Sequence, residues 1–229
     1  MRRDDDLRDA IDHAWRELDA IDHALARDDI TEDDWYRARQ ALIVPAYLAA
    51  DDPRAQSGYG GDDGEWEAAR GLLVDAIDRD GTFADIGCAN GHLMESVCTW
   101  SARRGHAIEP YGVDLSPELA RLAAARLPHW RERIWVGNGL DWLPLFRFDF
   151  VHLQDVTYVP VTRREELVAH LLEVVCRPGG RLIIGPFNES IDERAAEKRV
   201  VSWGYRIAGR AERPHRHPDV MRPAFWVDA

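Results

Sequence analysis

The sequence predicts an α/β fold: a doubly wound, mostly parallel seven-stranded sheet with helices on both faces, preceded by N-terminal helices. Three observations predict it. From residue 81 onward, short apolar runs alternate with segments of helical periodicity, which is how parallel strands joined by crossover helices read. Before residue 80 the apolar residues recur every three or four positions, as on amphipathic helices. The 229 residues are 45% apolar, enough for one large domain with a real core or for one domain and an appendage.

The first 26 residues place Leu7, Ile11, Trp15, Leu18, Ile21 and Leu25 on one helical stripe. Thr31 and Asp34 have the spacing of a capping box and open a second helix that runs through Trp35 and Leu42 toward Pro45. DDPRAQSGYGGDDG, residues 51–64, interrupts the pattern with glycine and aspartate. A third helix follows, with Trp66, Ala69, Leu72, Leu73, Ala76 and Ile77 on its apolar side. The strands come next, at 83–86, 111–114, 134–136, 148–153 and 181–185. Helices over 92–104, 117–127 and 163–176 separate them, the last closed by RPGG. One more helix falls between 191 and 202, and YRIAGRAER and AFWVDA are two closing strands.

The net charge of −12 sits entirely in the front third: residues 1–80 carry 22 acidic and 10 basic side chains, residues 81–229 carry 19 of each. Such a field disfavours nucleic acid and anionic membranes and favours a cationic partner, although a solvated surface explains it as well. No apolar run is long enough to span a bilayer, and the opening MRRDDDLRDA lacks the apolar stretch of a secretory signal. Cys88, Cys98 and Cys176 are odd in number and fit no metal spacing, which suits a reducing, cytoplasmic setting.

Function is concentrated in ADIGCANGHLME, residues 84–95. In an open parallel sheet, ligands bind beyond the carboxyl ends of the strands, and this is where the first strand ends. Gly87 and Gly91 permit a tight turn and close backbone approach. A dinucleotide fingerprint needs glycine at the third and sixth positions of the loop. Ala89 and His92 stand there, so a nicotinamide cofactor is disfavoured.

FADIGCANG, YGVDLSPELARLAAARL, VGNGLDW, FDFVHLQDVTYVP and VVCRPGGRLIIG occur in this order across residues 64–229, and together they resemble the class I S-adenosylmethionine-dependent methyltransferases. The resemblance implies S-adenosylmethionine as cofactor. It implies that Gly87, Cys88, Ala89, Asn90 and Gly91 line its methionine and ribose, with Asp85 holding the loop or the amino group. Asp114 would accept hydrogen bonds from both ribose hydroxyls, since Ser116 and Pro117 already cap the next helix. Asn138 would meet the adenine amino group, or else serve as a turn residue before Gly139. Leu115, Gly139 and Leu140 would complete the adenosine pocket, and Gln154 would flank the sulfonium. Tyr59 would contact the cofactor from a flexible segment, residues 51–63. The departure is Ala89, where many members have glycine; a negative φ would make it tolerable.

Methyl transfer from a sulfonium needs alignment and water exclusion, and a base only where the acceptor must lose a proton. Asp155 and Tyr158, at the mouth after the fourth strand, are the candidates, though each could merely cap the following helix. Strand alternation puts His152 and Gln154 on one face, with His152 packed under a helix. His92 reads as a solvated first-turn residue. His215 and His217 lack a third ligand, so no metal is expected. No Pro-Cys nucleophile and no Asn/Asp-Pro-Pro-aromatic tetrad occurs, and no basic, aromatic-interleaved appendage offers a nucleic-acid track. The expected acceptor is therefore a small molecule, amine-bearing or cationic if the acidic front roofs the site alongside Trp35, Tyr36 and Tyr47. Residues 1–50 are expected to be that lid or a homodimer interface. A non-catalytic nucleotide-binding module and a methyltransferase of RNA or protein are the alternatives.

Overall fold

The computed structural model describes residues 16–191 and 193–229. Leu7, Ile11 and Trp15 of the first stripe lie outside the described residues. Within the described residues α1 covers 16–26, with Leu18, Ile21 and Leu25 half-buried. The second helix, α2 (Glu32–Leu48), starts at the expected capping box: Asp34 N–H donates to Thr31 Oγ1 at 3.2 Å, and Thr31 N–H donates to Asp34 Oδ2 at 3.1 Å. It continues three residues past Pro45. The ring removes one N–H in the last turn, and the helix then closes through Ala49 N–H on Pro45 O at 3.0 Å.

The third helix divides into α3 (Asp63–Arg70) and a 3₁₀ segment, Gly71–Ala76. All six residues of its expected apolar side are buried. The sheet then assembles from β1 (Gly81–Ile86), β2 (Ile108–Asp114), β3 (Ile134–Val136), β4 (Phe148–Leu153) and β5 (Cys176–Ile184). These five are parallel in the order β3-β2-β1-β4-β5. Between them run α4 (His92–Ala102), α5 (Pro117–Arg126) and α6 (Arg164–His170), the last ending in a π-turn, Leu171–Val175. Cys176 pairs with Phe148, RPGG bulges out with Gly179 at φ +74°, and the ladder resumes at Arg181 opposite Phe150.

Among the described residues eight strands form where seven are expected. β8 (Val220–Asp228) runs antiparallel to β5, with Ile184 opposite Phe225, and β7 (Gly209–Pro214) pairs with the other edge of β8. The extra strand is β6 (Glu189–Ser190), which pairs with β8 at Met221 and Val220. Gly185, at φ +96°, breaks β5, and the chain regains the same edge of β8 a few residues later. The helix after it, α7, covers Ala195–Ser202.

Alternation along the strands splits the core into two layers. Ala84, Ile86, Val151, Leu153, Leu182 and Ile184 face α6 and α7 through Leu167, Leu171 and Val200. Phe83, Phe150 and Ile183 face α3 and α4 through Trp66, Leu93 and Val97. His152 falls on this second face, stacked on Phe83. No helix among the described residues is long and apolar enough to cross a membrane.

Candidate active site

The loop after β1 is anchored by backbone to the end of β2. Gly87 and Cys88 N–H groups both donate to Val113 O, at 2.8 and 3.1 Å. Gly87 has φ +81°, and a Cβ there would lie 2.6 Å from the Tyr158 ring. The expectation for Ala89 is overturned: its φ is +46°, in the left-handed region. What holds it is Asp114, whose Oδ2 accepts from Ala89 N–H at 2.8 Å while Oδ1 accepts from Ser116 N–H at 2.9 Å. Each carboxylate oxygen keeps a lone pair. Burial, opposed by those two N–H donors, lifts the Asp114 carboxyl to about 6. The cap of α5 falls to Ser116, which accepts from Leu119 N–H, with Pro117 beginning the helix.

Beyond the strand ends lies a cavity of about 210 Å³. Gly87, Ala89, Asp114, Leu115, Asn138 and Gly139 form its floor and one end. Trp35, Tyr36, Arg39, Gln40, Ile43, Val44 and Tyr47, all of α2, form its roof. A smaller cavity of about 100 Å³ adjoins on the other side of the loop, lined by Arg70, Asp85, Cys88, His152 and Gln154. Gly87, Ala89, Tyr47 and Tyr158 border both. Leu140 sits with Tyr36 and Asn138 on a third, outer groove.

Besides Leu140, four expected residues line neither cavity. Tyr59 turns toward Trp66, ring centroids 5.5 Å apart, and its hydroxyl donates to Glu65 O at 3.0 Å. Tyr47, one helix earlier, stands at the cavity in its place. Asn90 is fully buried and holds the preceding segment: it donates to Pro53 O at 2.8 Å and accepts from Ser57 Oγ at 2.6 Å. Residues 51–58 are thereby pinned as a strap across the glycine loop. Gly91, at φ +74°, leaves room for Leu127 behind the loop. Asp155 caps the 3₁₀ turn Val156–Tyr158 by accepting from Thr157 N–H at 2.9 Å.

The other titratable groups are engaged or suppressed. Both ring nitrogens of His152 are engaged: Nε2 donates to Gly185 O at 2.9 Å, and Nδ1 shares a hydrogen bond with buried Asp85 Oδ1 at 2.7 Å. Burial, reinforced by Tyr47, pushes the Tyr158 phenol well above its usual range. Gln154 donates to Pro186 O. His92 is not solvated: its ring lies on Trp66, both nitrogens are buried without partners, and burial lowers its basicity. His215 and His217 share the turn between β7 and β8, where His217 N–H donates to His215 Nδ1 at 3.0 Å.

Arg70 is the residue sequence reasoning missed. It donates to Pro186 O at 2.7 Å and lies beneath the rings of Trp66 and Tyr59. No carboxylate among the described residues pairs with it, and burial lowers its basicity. A desolvated cation without a counter-ion, at the wall of a cavity, is a site for an anionic group. Nothing in its local sequence separates it from an ordinary arginine in the last turn of a helix.

This strand order, with the glycine loop at the end of β1 and an acidic residue ending β2, is the fold of the class I S-adenosylmethionine-dependent methyltransferases. Three solved structures share it. Burkholderia thailandensis 1,6-didemethyltoxoflavin-N1-methyltransferase, with bound 1,6-didemethyltoxoflavin and S-adenosylhomocysteine, aligns at TM-score 0.62 and 13% identity, over 87% of this chain and 90% of that one. The [4+2]-cyclase SpnF aligns at 0.53 and 14%, over 81% and 93%. The glycopeptide N-methyltransferase MtfA aligns at 0.51 and 15%, over 77% and 98%. No protein-family model and no curated protein sequence matches the chain.

Proposed function

We propose that the protein is an S-adenosylmethionine-dependent methyltransferase that acts on a small-molecule acceptor. The observation that carries this reading is Asp114. Its two oxygens brace Ala89 and Ser116 and still present lone pairs to the cavity, where a ribose diol would donate to both. Two further features fit the rest of the cofactor. The Tyr36 hydroxyl is buried beside the Asn138 side chain, at the end where adenine would lie. Arg70 and Asp85 give the smaller cavity one charge of each sign, which suits the carboxylate and ammonium of a methionine tail.

When bound, the cofactor supplies a sulfonium-activated methyl group. The chain's own contribution is to orient and enclose. Gly87 gives the backbone approach, Asp114 fixes the ribose, Arg70 takes the carboxylate, and α2 excludes water. Isothermal titration with S-adenosylhomocysteine tests the reading: micromolar affinity is expected, and no binding at millimolar ligand overturns it. A second reading keeps the cofactor but drops methyl transfer, because the cyclase SpnF shares the fold. Cofactor binding without turnover on any acceptor would favour it.

A further inference from the structure

The sequence predicts an acidic roof and hence a cationic acceptor, but among the described residues no acidic side chain of α2 lines the cavity. Glu32 and Asp33 line the outer groove, with Arg37 and Arg163 among them. Inside the main cavity the one charged roof residue is Arg39. Its guanidinium lies 4.6 Å over the Trp35 ring and is held by two long hydrogen bonds, to Asp22 Oδ1 at 3.3 Å and to Thr157 O at 3.4 Å. Asp114 is committed to the floor, and Asp85 to His152. With Arg70 and Asp85 facing the cofactor's methionine tail and Asp114 its ribose, Arg39 is the charge left on the acceptor side of the cavity, and a cofactor sulfonium would add a second positive one.

The same cavity offers no free base. Asp155 caps a turn, both ring nitrogens of His152 are engaged, and desolvation raises the Tyr158 phenol well above its usual range. The remaining lining is aromatic and aliphatic: Trp35, Tyr47 and Tyr158 with Ile43 and Val44. We propose that the acceptor is a planar aromatic or heteroaromatic molecule, neutral or anionic, which brings its own available lone pair and points an electronegative edge at Arg39. This rests on the methyltransferase reading and narrows it. In the step it implies, the acceptor's lone pair forms the bond to the methyl carbon, the C–S bonding pair stays on sulfur, and any proton on the acceptor atom leaves to water.

The test uses the full chain saturated with S-adenosylhomocysteine, whose binding is established first, so failure at that stage counts against the methyltransferase reading and not against the acceptor class. Three probes are then titrated by tryptophan fluorescence: 4-hydroxyquinoline, the same-shaped cation 1-methylquinolinium, and spermidine. 4-Hydroxyquinoline is expected to bind at least about tenfold more tightly than either cation, because like charges brought together in a desolvated site repel strongly. Arg39→Gln should narrow the gap between the two quinolines to about threefold or less while S-adenosylhomocysteine binding persists. If that variant does not fold, the ranking on the unaltered protein decides alone. Equal or tighter binding of 1-methylquinolinium or spermidine overturns the proposal, and so does an Arg39→Gln protein that folds and keeps the full gap.

Discussion

The floor and the roof of the cavity are held by different kinds of bond. At the floor, Gly87 and Cys88 hang from Val113 O through their own amides, and Ala89 and Ser116 N–H groups converge on Asp114. At the roof, α2 is held by side-chain bonds, one to the neighbouring helix and one from far along the chain. Trp35 Nε1 donates to Asp22 Oδ1 at 2.7 Å, and Arg163 Nη1 reaches both oxygens of Glu32 at 2.9 Å. Backbone bonds between adjacent strands follow from the order of elements and can be anticipated from a sequence. Side-chain clasps spanning more than a hundred residues cannot. The floor should therefore be rigid and intolerant, and the roof separable from it.

The largest expected effect breaks the floor. Asp114→Ala removes the ribose acceptor and releases Ala89, and should weaken S-adenosylhomocysteine binding by about 1.5–3 kcal/mol, the scale of hydrogen bonds to a charged group. Titration calorimetry on the folded variant checks it; unchanged affinity would sink the role given to Asp114. The pH dependence sharpens the same point. The folded carboxyl titrates near 6 against an ordinary 3.8, so the free protein binds this proton more readily than the unfolded chain. Between those values, lowering the pH favours the folded state through this group, and raising it withdraws that contribution. Ligand binding has the opposite sign because it needs the ionised form. Affinity should be flat above pH 7 and fall as pH drops through 6, by up to about tenfold per unit. Asp114→Asn should abolish the slope.

How much was legible follows the same division. Strand ends, the capping box at Thr31 and the position of Asp114 were readable because each depends on residues within one element or at a strand terminus. The placing of His152 followed from the period of two. Tyr59 was misassigned because its segment looked flexible, whereas Asn90 and Asp52 fix it: Asp52 Oδ1 accepts from the Arg54 and Ala55 N–H groups at 3.0 and 3.1 Å. Arg70 was invisible because its meaning lies in a missing partner, which only three dimensions reveal. The charge argument needs three dimensions for a related reason. A count of carboxylates over 80 residues does not say which side chains face inward, and on α2 the inward one is Arg39.

A middle-sized effect tests whether strap and floor are one unit. Asn90→Ala deletes the bonds to Pro53, Gln56 and Ser57 and leaves their polar atoms short of partners, costing about 1–3 kcal/mol. Hydrogen exchange should then rise in residues 51–58 and stay low in β1 and β2, and added S-adenosylhomocysteine should reverse part of that rise. Equal protection in variant and parent would mean that the strap is held by something other than Asn90.

The smallest expected effect concerns Ala89, and it sharpens the comparison because three terms compete. A left-handed conformation costs a non-glycine residue about 1–2 kcal/mol, which Ala89→Gly would relieve. Glycine adds unfolded-chain entropy that costs about 0.4–1 kcal/mol. It also gives up a nearly buried methyl group, 8% exposed as a residue, worth about 0.8 kcal/mol. The sum is close to zero, so Ala89→Gly should change stability by less than about 0.5 kcal/mol in a denaturant titration. Near-cancellation explains why a loop that favours glycine elsewhere carries alanine here. Ala89→Val keeps none of that balance, since branching at Cβ makes the left-handed region far less accessible, and it should destabilise by more than about 2 kcal/mol. If glycine instead stabilises the protein by well over 1 kcal/mol, the hydrogen bond from Ala89 to Asp114 is holding real strain, and the floor is less relaxed than its backbone bonds imply.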